Sequence, residues 1–120
     1  MAQHNDLGKL GEKLGVIYLQ EKGYVILEKN WRYFKAEIDI IASKNNTLII
    51  IEVKTRTSDF FGNPEEFITK SKIKLLITAA NAYIQQKNMD IEVRFDVISI
   101  VKNKQKTDLK HIKQAFLAFE

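Results

Sequence analysis

Apolar residues change their spacing several times along the chain, and each change marks an element. Leu7, Leu10, Leu14, Ile17 and Tyr18 recur three and four apart, which puts them on one face of an α-helix. A first helix is expected from residue 5 or 6, where Asn5 or Asp6 supplies a cap, to residue 22, with Gly23 just past its end. Gly11 and Gly15 share one side of it, a surface for close packing, and Glu12 stands beside them off the leucine stripe. Beyond Gly23 the pattern turns to strands, at about 24–32, 37–42 and 48–55, which make an antiparallel meander. Asn45-Asn46 tolerates the positive φ that a short hairpin needs. Leu48-Ile49-Ile50-Ile51 is apolar on both faces, the mark of a central strand covered on each side.

Residues 56–63 read as a loop. Asn63-Pro64-Glu65-Glu66 reads as a helix start: a cap, a proline in the first turn, then acids on the helix dipole. The second helix runs to about residue 87 with Ile73, Leu76, Ile77, Ala80 and Ile84 on one stripe, an interruption near Thr69 and Asn88 to close it. Ile91, Val93, Phe95 and Val97 alternate with Glu92, Arg94 and Asp96, so a fourth strand is expected over 91–100. Strand, long helix, strand implies a right-handed crossover, with the fourth strand parallel to the third. After a polar turn at 102–108, Ile112, Ala115, Phe116 and Phe119 fall at helical spacing and predict a third helix over about 109–119. The predicted order αβββαβα is an α/β domain with a mixed sheet, residues 1–120 forming one domain.

Composition narrows the class. Hydrophobic residues make up 45% and aromatic residues 10% of the chain, enough for an ordinary core. The formal charge of +4 suits nucleic acid without requiring it. No cysteine is present, which excludes disulfides and thiolate metal sites. The start is polar and has no apolar signal segment, and no run approaches a membrane span, so a cytoplasmic protein with no membrane partner is expected.

The chemistry lies at the end of the central hairpin. With period two, Glu52 and Lys54 share a strand face, about 7 Å apart. If the hairpin closes across Asn45-Asn46, Asp39 comes near Glu52 from the preceding strand. Two opposed acids beside a greasy strand destabilise a sheet. A hard divalent cation removes that conflict and binds through one or two carboxylates. A plain ion pair of Lys54 with an acid also accounts for the triplet, and Glu12 also fits a solvated helix acid. Taken together, Glu12, Asp39, Glu52 and Lys54 suit phosphodiester hydrolysis. Asp39 and Glu52, with the Val53 carbonyl, would hold Mg²⁺ or Mn²⁺, Lys54 would orient water or stabilise charge, and Glu12 would complete the shell.

These residues carry a resemblance. Asp39 followed one strand later by Glu52-Val53-Lys54 resembles the PD-(D/E)XK nucleases, the restriction-endonuclease-like fold. More closely, the chain is similar to the uncharacterised YraN family of bacterial proteins. The similarity runs through Gly8-x-x-Gly11-Glu12, Gly23-Tyr24, Glu37-Ile38-Asp39-Ile40-Ile41-Ala42, Glu52-Val53-Lys54-Thr55-Arg56, Phe61-Gly62-x-Pro64-Glu65, Lys72, Arg94-Phe95-Asp96-Val97 and Ala115-Phe116. Ala36 departs from it, standing where the family usually has glycine. The resemblance implies a three-layer restriction-endonuclease-like fold and kinship with archaeal Holliday-junction resolvases. It implies catalytic roles for Glu12, Asp39, Glu52 and Lys54, a Mg²⁺ or Mn²⁺ cofactor, branched or junction DNA as partner, and a twofold homodimer.

Arg56, Lys70, Lys72 and Lys74 are candidates for phosphate contacts, although a lysine run on a helix is commonly a solvated face. Trp31, Arg32 and Tyr33 fit either base stacking or the rim of a core. Asp96 is a candidate outer-shell group, and His4 and His111 have no partner at metal-binding spacing. The expected activity is a metal-dependent DNA endonuclease. A catalytically silent nucleic-acid-binding module and a protein-interaction domain are the alternatives.

Overall fold

A computed structural model gives the fold; it describes residues 2–58 and 68–117, without the side chains of residues 2–5. Helix α1 (Ala2–Glu21) leads into β1 (Val25–Tyr33), β2 (Ala36–Lys44) and β3 (Thr47–Arg56); α2 (Lys70–Lys87), β4 (Glu92–Lys102) and β5 (Thr107–Phe116) follow. The five strands form one sheet in chain order. β1, β2 and β3 are antiparallel neighbours, β3 and β4 run parallel, and β5 returns antiparallel to β4. Among the described residues no helix is long and apolar enough to cross a membrane.

Local chemistry places the ends. Gly23, at φ 90, closes α1: its N–H donates to the Gln20 carbonyl, and the Tyr24 N–H donates to the Leu19 carbonyl. Asn88, at φ 54, closes α2 in the same way. Asn45 and Asn46 both have positive φ and turn the β2–β3 hairpin between Lys44 and Thr47, as their chemistry predicts. The Thr69 Oγ1 accepts the Lys72 N–H at 3.1 Å and caps α2, which is why the helix begins there; the expected start at Asn63-Pro64 lies outside the described residues.

α1 and α2 cover opposite faces of the sheet. Leu48 and Ile50 pack with Leu76, Ala79, Ala80 and Tyr83 under α2. Ile49 and Ile51 pack with Leu19, Ile98 and Ile100 under α1. β3 is thus central and covered on both sides, as its run of isoleucines predicts.

The expected third helix is a correction. Residues Thr107–Phe116 form β5, and the observed order is αβββαββ. The pairing of β4 with β5 slips between Val97↔Ile112 and Phe95↔Phe116, where Gln114 takes φ 51. That bulge resets the alternation, so Ile112, Ala115 and Phe116 fall at helical spacing while lying on a strand. The buried backbone of β4 decides the outcome: without β5, its edge would leave a row of N–H and C=O groups unpaired.

Candidate functional site

The site begins with an irregularity in β2. Ala36 and Ile38 belong to the core under α2, whereas Ile40 and Ala42 belong to the core under α1. In a regular strand all four would share a face, so the strand rotates at Asp39. The ladder to β3 runs only as far as Ile40↔Ile51, and beyond it the Val53 N–H donates to Asp39 Oδ2 at 2.8 Å. A side-chain carboxylate has taken the place of a ladder bond. On the other side, Asn30 lies between the pairs Lys29↔Ile40 and Trp31↔Ile38 with φ 51, a conformation that asparagine tolerates. Its side chain hydrogen-bonds Glu12 of α1.

α1 comes this close because residue 11 is glycine. A Cβ there would stand 1.8 Å from Thr55 Oγ1 and 2.8 Å from Thr55 Cβ. Gly15 has ordinary room, its nearest neighbour being an Ile40 methyl at 3.5 Å. The contact at Gly11 sets Glu12 beside the end of β3.

Glu52 is 3% exposed and carries two ammonium partners on a single oxygen. Its Oε2 lies 3.5 Å from Lys54 Nζ and 3.4 Å from Lys72 Nζ. Its Oε1 is buried and has no hydrogen-bond partner among the described residues. Such an atom forfeits its hydration and regains nothing from the described residues. Lys72, read from the sequence as a phosphate contact, belongs to this constellation, put there by the cap of α2. Val53 joins it through its N–H.

The acids disturb one another. Burial, and then the Glu52 charge, push Asp39 up to about 8; the Val53 hydrogen bond and Lys72 only partly oppose this. Burial also raises Glu12, with the Asn30 hydrogen bond holding it back and Glu37 and Glu52 adding to the rise. Among the described residues no three Asp, Glu or His side chains are gathered closely enough to hold an ion. The acids nearest one another here are the buried Glu52 and the half-buried Asp39, with Glu12 at their side. Next to Glu12 and Asp39, between α1 and β1, opens a cavity of about 310 Å³.

Other sequence candidates fall elsewhere. Lys70 is exposed at the start of α2, and Arg56 is half-buried at the end of β3. Trp31 stacks on Tyr33 at 6.3 Å and meets Tyr83 of α2 edge-on at 5.2 Å, as a packing residue. Asp96 is fully occupied in a different network. It accepts from Arg94, from the Gln114 N–H, and across 2.7 Å from His111 Nε2, while Tyr18 bonds the other His111 nitrogen. This network ties α1, β4 and β5 together. Its histidine is invisible to a reading that makes residues 109–119 a helix. Asn30 carried one faint signal: an asparagine within an apolar strand pattern.

A family model described as "Uncharacterised protein family UPF0102" matches residues 11–100 of the chain. The chain is 52% identical to a UPF0102 protein of Flavobacterium psychrophilum over 99% of its own length and 100% of that protein. It is 54% identical to a UPF0102 protein of Christiangramia forsetii over the same shares of the two chains. A UPF0102 protein of Bacteroides thetaiotaomicron is 47% identical over 97% of this chain and 96% of its own.

Proposed function

Because the chain belongs to the uncharacterised protein family UPF0102, its activity has to be read from its own residues, and we propose a divalent-metal-dependent DNA endonuclease of the PD-(D/E)XK type. The observation that carries this reading is the buried Glu52, with Oε1 unanswered among the described residues, beside an Asp39 whose carboxyl is pushed up to about 8. Paired acids held at such cost are what a cation site requires before its ion arrives. The αβββα run and the central β3 agree with the restriction-endonuclease-like fold that the sequence resembles.

Asp39 and Glu52 would hold Mg²⁺ or Mn²⁺, with the Val53 carbonyl and Glu12 completing the donors. Such an ion lowers the pKa of a bound water and neutralises phosphate charge. The protein does the rest. Lys54, held 3.5 Å from Glu52 Oε2, offers a compact positive charge to the phosphate. Lys72, on the same oxygen, keeps Glu52 aimed while Lys54 engages substrate. Branched or junction DNA as the substrate, and a homodimer to hold its paired strands, follow from the resolvase resemblance and the basic charge. Light scattering with and without junction DNA tests the dimer, and a monomer in both would remove it.

Lys54→Ala is the test of the reaction. DNA and Mn²⁺ affinity should stay within a few fold while metal-dependent nicking falls about 10²–10³-fold. Lys54→Arg should not restore it, since a forked guanidinium does not replace a compact ammonium. The same two ion pairs also fit a purely structural site, which predicts the reverse: a lower melting temperature with nicking intact. If the unaltered protein cuts no branched, flapped or duplex DNA with either metal, the enzyme reading fails.

A further inference from the structure

We propose that the cavity between α1 and β1 receives one nucleotide of a nucleic-acid strand, with its base and sugar against Ile17 and its phosphate among Lys9, Lys13 and Lys29. At about 310 Å³ the cavity lies at the low end of small-ligand sites, the size of one nucleotide and too narrow for a duplex. Part of its wall is apolar, made by Val16, Ile17 and Ile40, with Ile40 fully buried and Ile17 half exposed at 50%. An isoleucine left bare beside a cavity offers a surface on which a base gains from leaving water.

The rim is cationic. Lys9 and Lys13 stand one turn apart on α1, and Lys29 approaches from β1. Among the described residues none of these three lysines takes part in an ion pair, whereas Lys54 and Lys72 are both held by Glu52. Glu12 and Asp39 line the same cavity and repel an anion. Acids on one side and lysines on the rim therefore turn a bound phosphate outward and leave the neutral base to the apolar wall. A fatty acid or a carboxylate peptide lacks the flat polar ring that suits a wall of apolar and amide groups; a nucleotide has it, as well as the anion.

The proposal rests on the nuclease reading only for the reason a strand passes here, and it is tested without catalysis. The ¹⁵N-labelled protein is titrated with 2′-deoxyadenosine 5′-monophosphate in EDTA and followed by NMR. Saturable shifts are expected at Lys9, Lys13, Ile17, Lys29 and Asn30. Ile17→Ser and Lys13→Glu should each weaken binding at least fivefold with an unchanged melting temperature. Should Ile17→Ser melt lower, the Lys13→Glu result decides alone. No saturable shift, shifts confined to Lys70 and Lys72 on α2, or full reproduction of the pattern by inorganic phosphate would each overturn the proposal. A protein that never cuts DNA but shows the expected shifts keeps the pocket and loses the nuclease reading. One that cuts DNA while both variants bind the nucleotide normally keeps the nuclease reading and loses the pocket.

Discussion

Asp39 is half-buried and Asp96 buried, each on a strand next to β3, and their surroundings drive them in opposite directions. Burial works to raise Asp96, but hydrogen bonds from His111, Arg94 and the Gln114 N–H prevail and hold it below its ordinary range. Among the described residues Asp39 has one N–H donor, that of Val53, and an acid for a neighbour, and it rises to about 8. Unfolded, Asp39 loses its proton near 3.8; folded, it keeps it to about 8. Between those values the folded state holds more protons. Metal-free protein should therefore lose stability as pH rises through that window, by at most about 1.4 kcal/mol per pH unit. A divalent cation has to displace that proton, so stabilisation by Mn²⁺ should grow toward pH 8. Asp39→Asn has no proton to lose and should remove both effects. Thermal melts across this range, with and without Mn²⁺, check it; a pH slope that persists in the variant would place the titrating group elsewhere.

Between elements, the decisive contact is α1 against the end of β3. Gly11→Ala drives a Cβ into Thr55, where Cβ against Cβ at 2.8 Å leaves no escape by side-chain rotation. The helix must shift, at a cost of about 1–3 kcal/mol. Gly15→Ala meets only ordinary contacts and removes a weak helix former, so it should gain up to about 1 kcal/mol. Chemical denaturation of the two variants checks the contrast; equal effects would mean that α1 does not dock as described. Because Glu12 adjoins Gly11, any metal-dependent nicking should suffer in Gly11→Ala and survive in Gly15→Ala. At the far edge, β5 shows how a strand can imitate a helix in sequence. Its bulge at Gln114 moves Ile112, Ala115 and Phe116 onto a three-and-four spacing, and only the demand of β4 for a partner reveals it as a strand.

For the whole molecule, the +4 charge is unevenly committed. Lys54 and Lys72 are tied to Glu52 and Arg94 to Asp96, while Lys9, Lys13, Lys29 and Lys70 are exposed. DNA affinity should fall with salt, and each phosphate contact removed should lower the logarithmic salt slope by about 0.7–0.9. Lys9→Glu, Lys13→Glu and Lys29→Glu together should cost roughly two to three such steps if the strand crosses α1. Lys70→Glu alone should cost about one if it crosses α2. Salt titrations of both proteins separate the two routes, and an unchanged slope in both would deny that either face binds.

Periodicity by itself determined the two described helices, the meander, the hairpin at Asn45-Asn46, the parallel crossover and the central place of β3. Each of these follows from local rules: spacing selects the element, asparagine and glycine admit positive φ, and a strand apolar on both faces has to be covered twice. The acids Asp39 and Glu52 were legible too, because the register across a two-residue turn leaves little freedom. Tertiary structure alone decided the rest. The rotation of β2 at Asp39, the seating of Lys72 on Glu52 and the bond of Asn30 to Glu12 depend on contacts between elements distant in sequence. So does the union of Asp96 with His111, and so does β5 itself. A bulge breaks the alternation on which pattern reading depends, and a buried strand edge takes whatever segment can satisfy its hydrogen bonds.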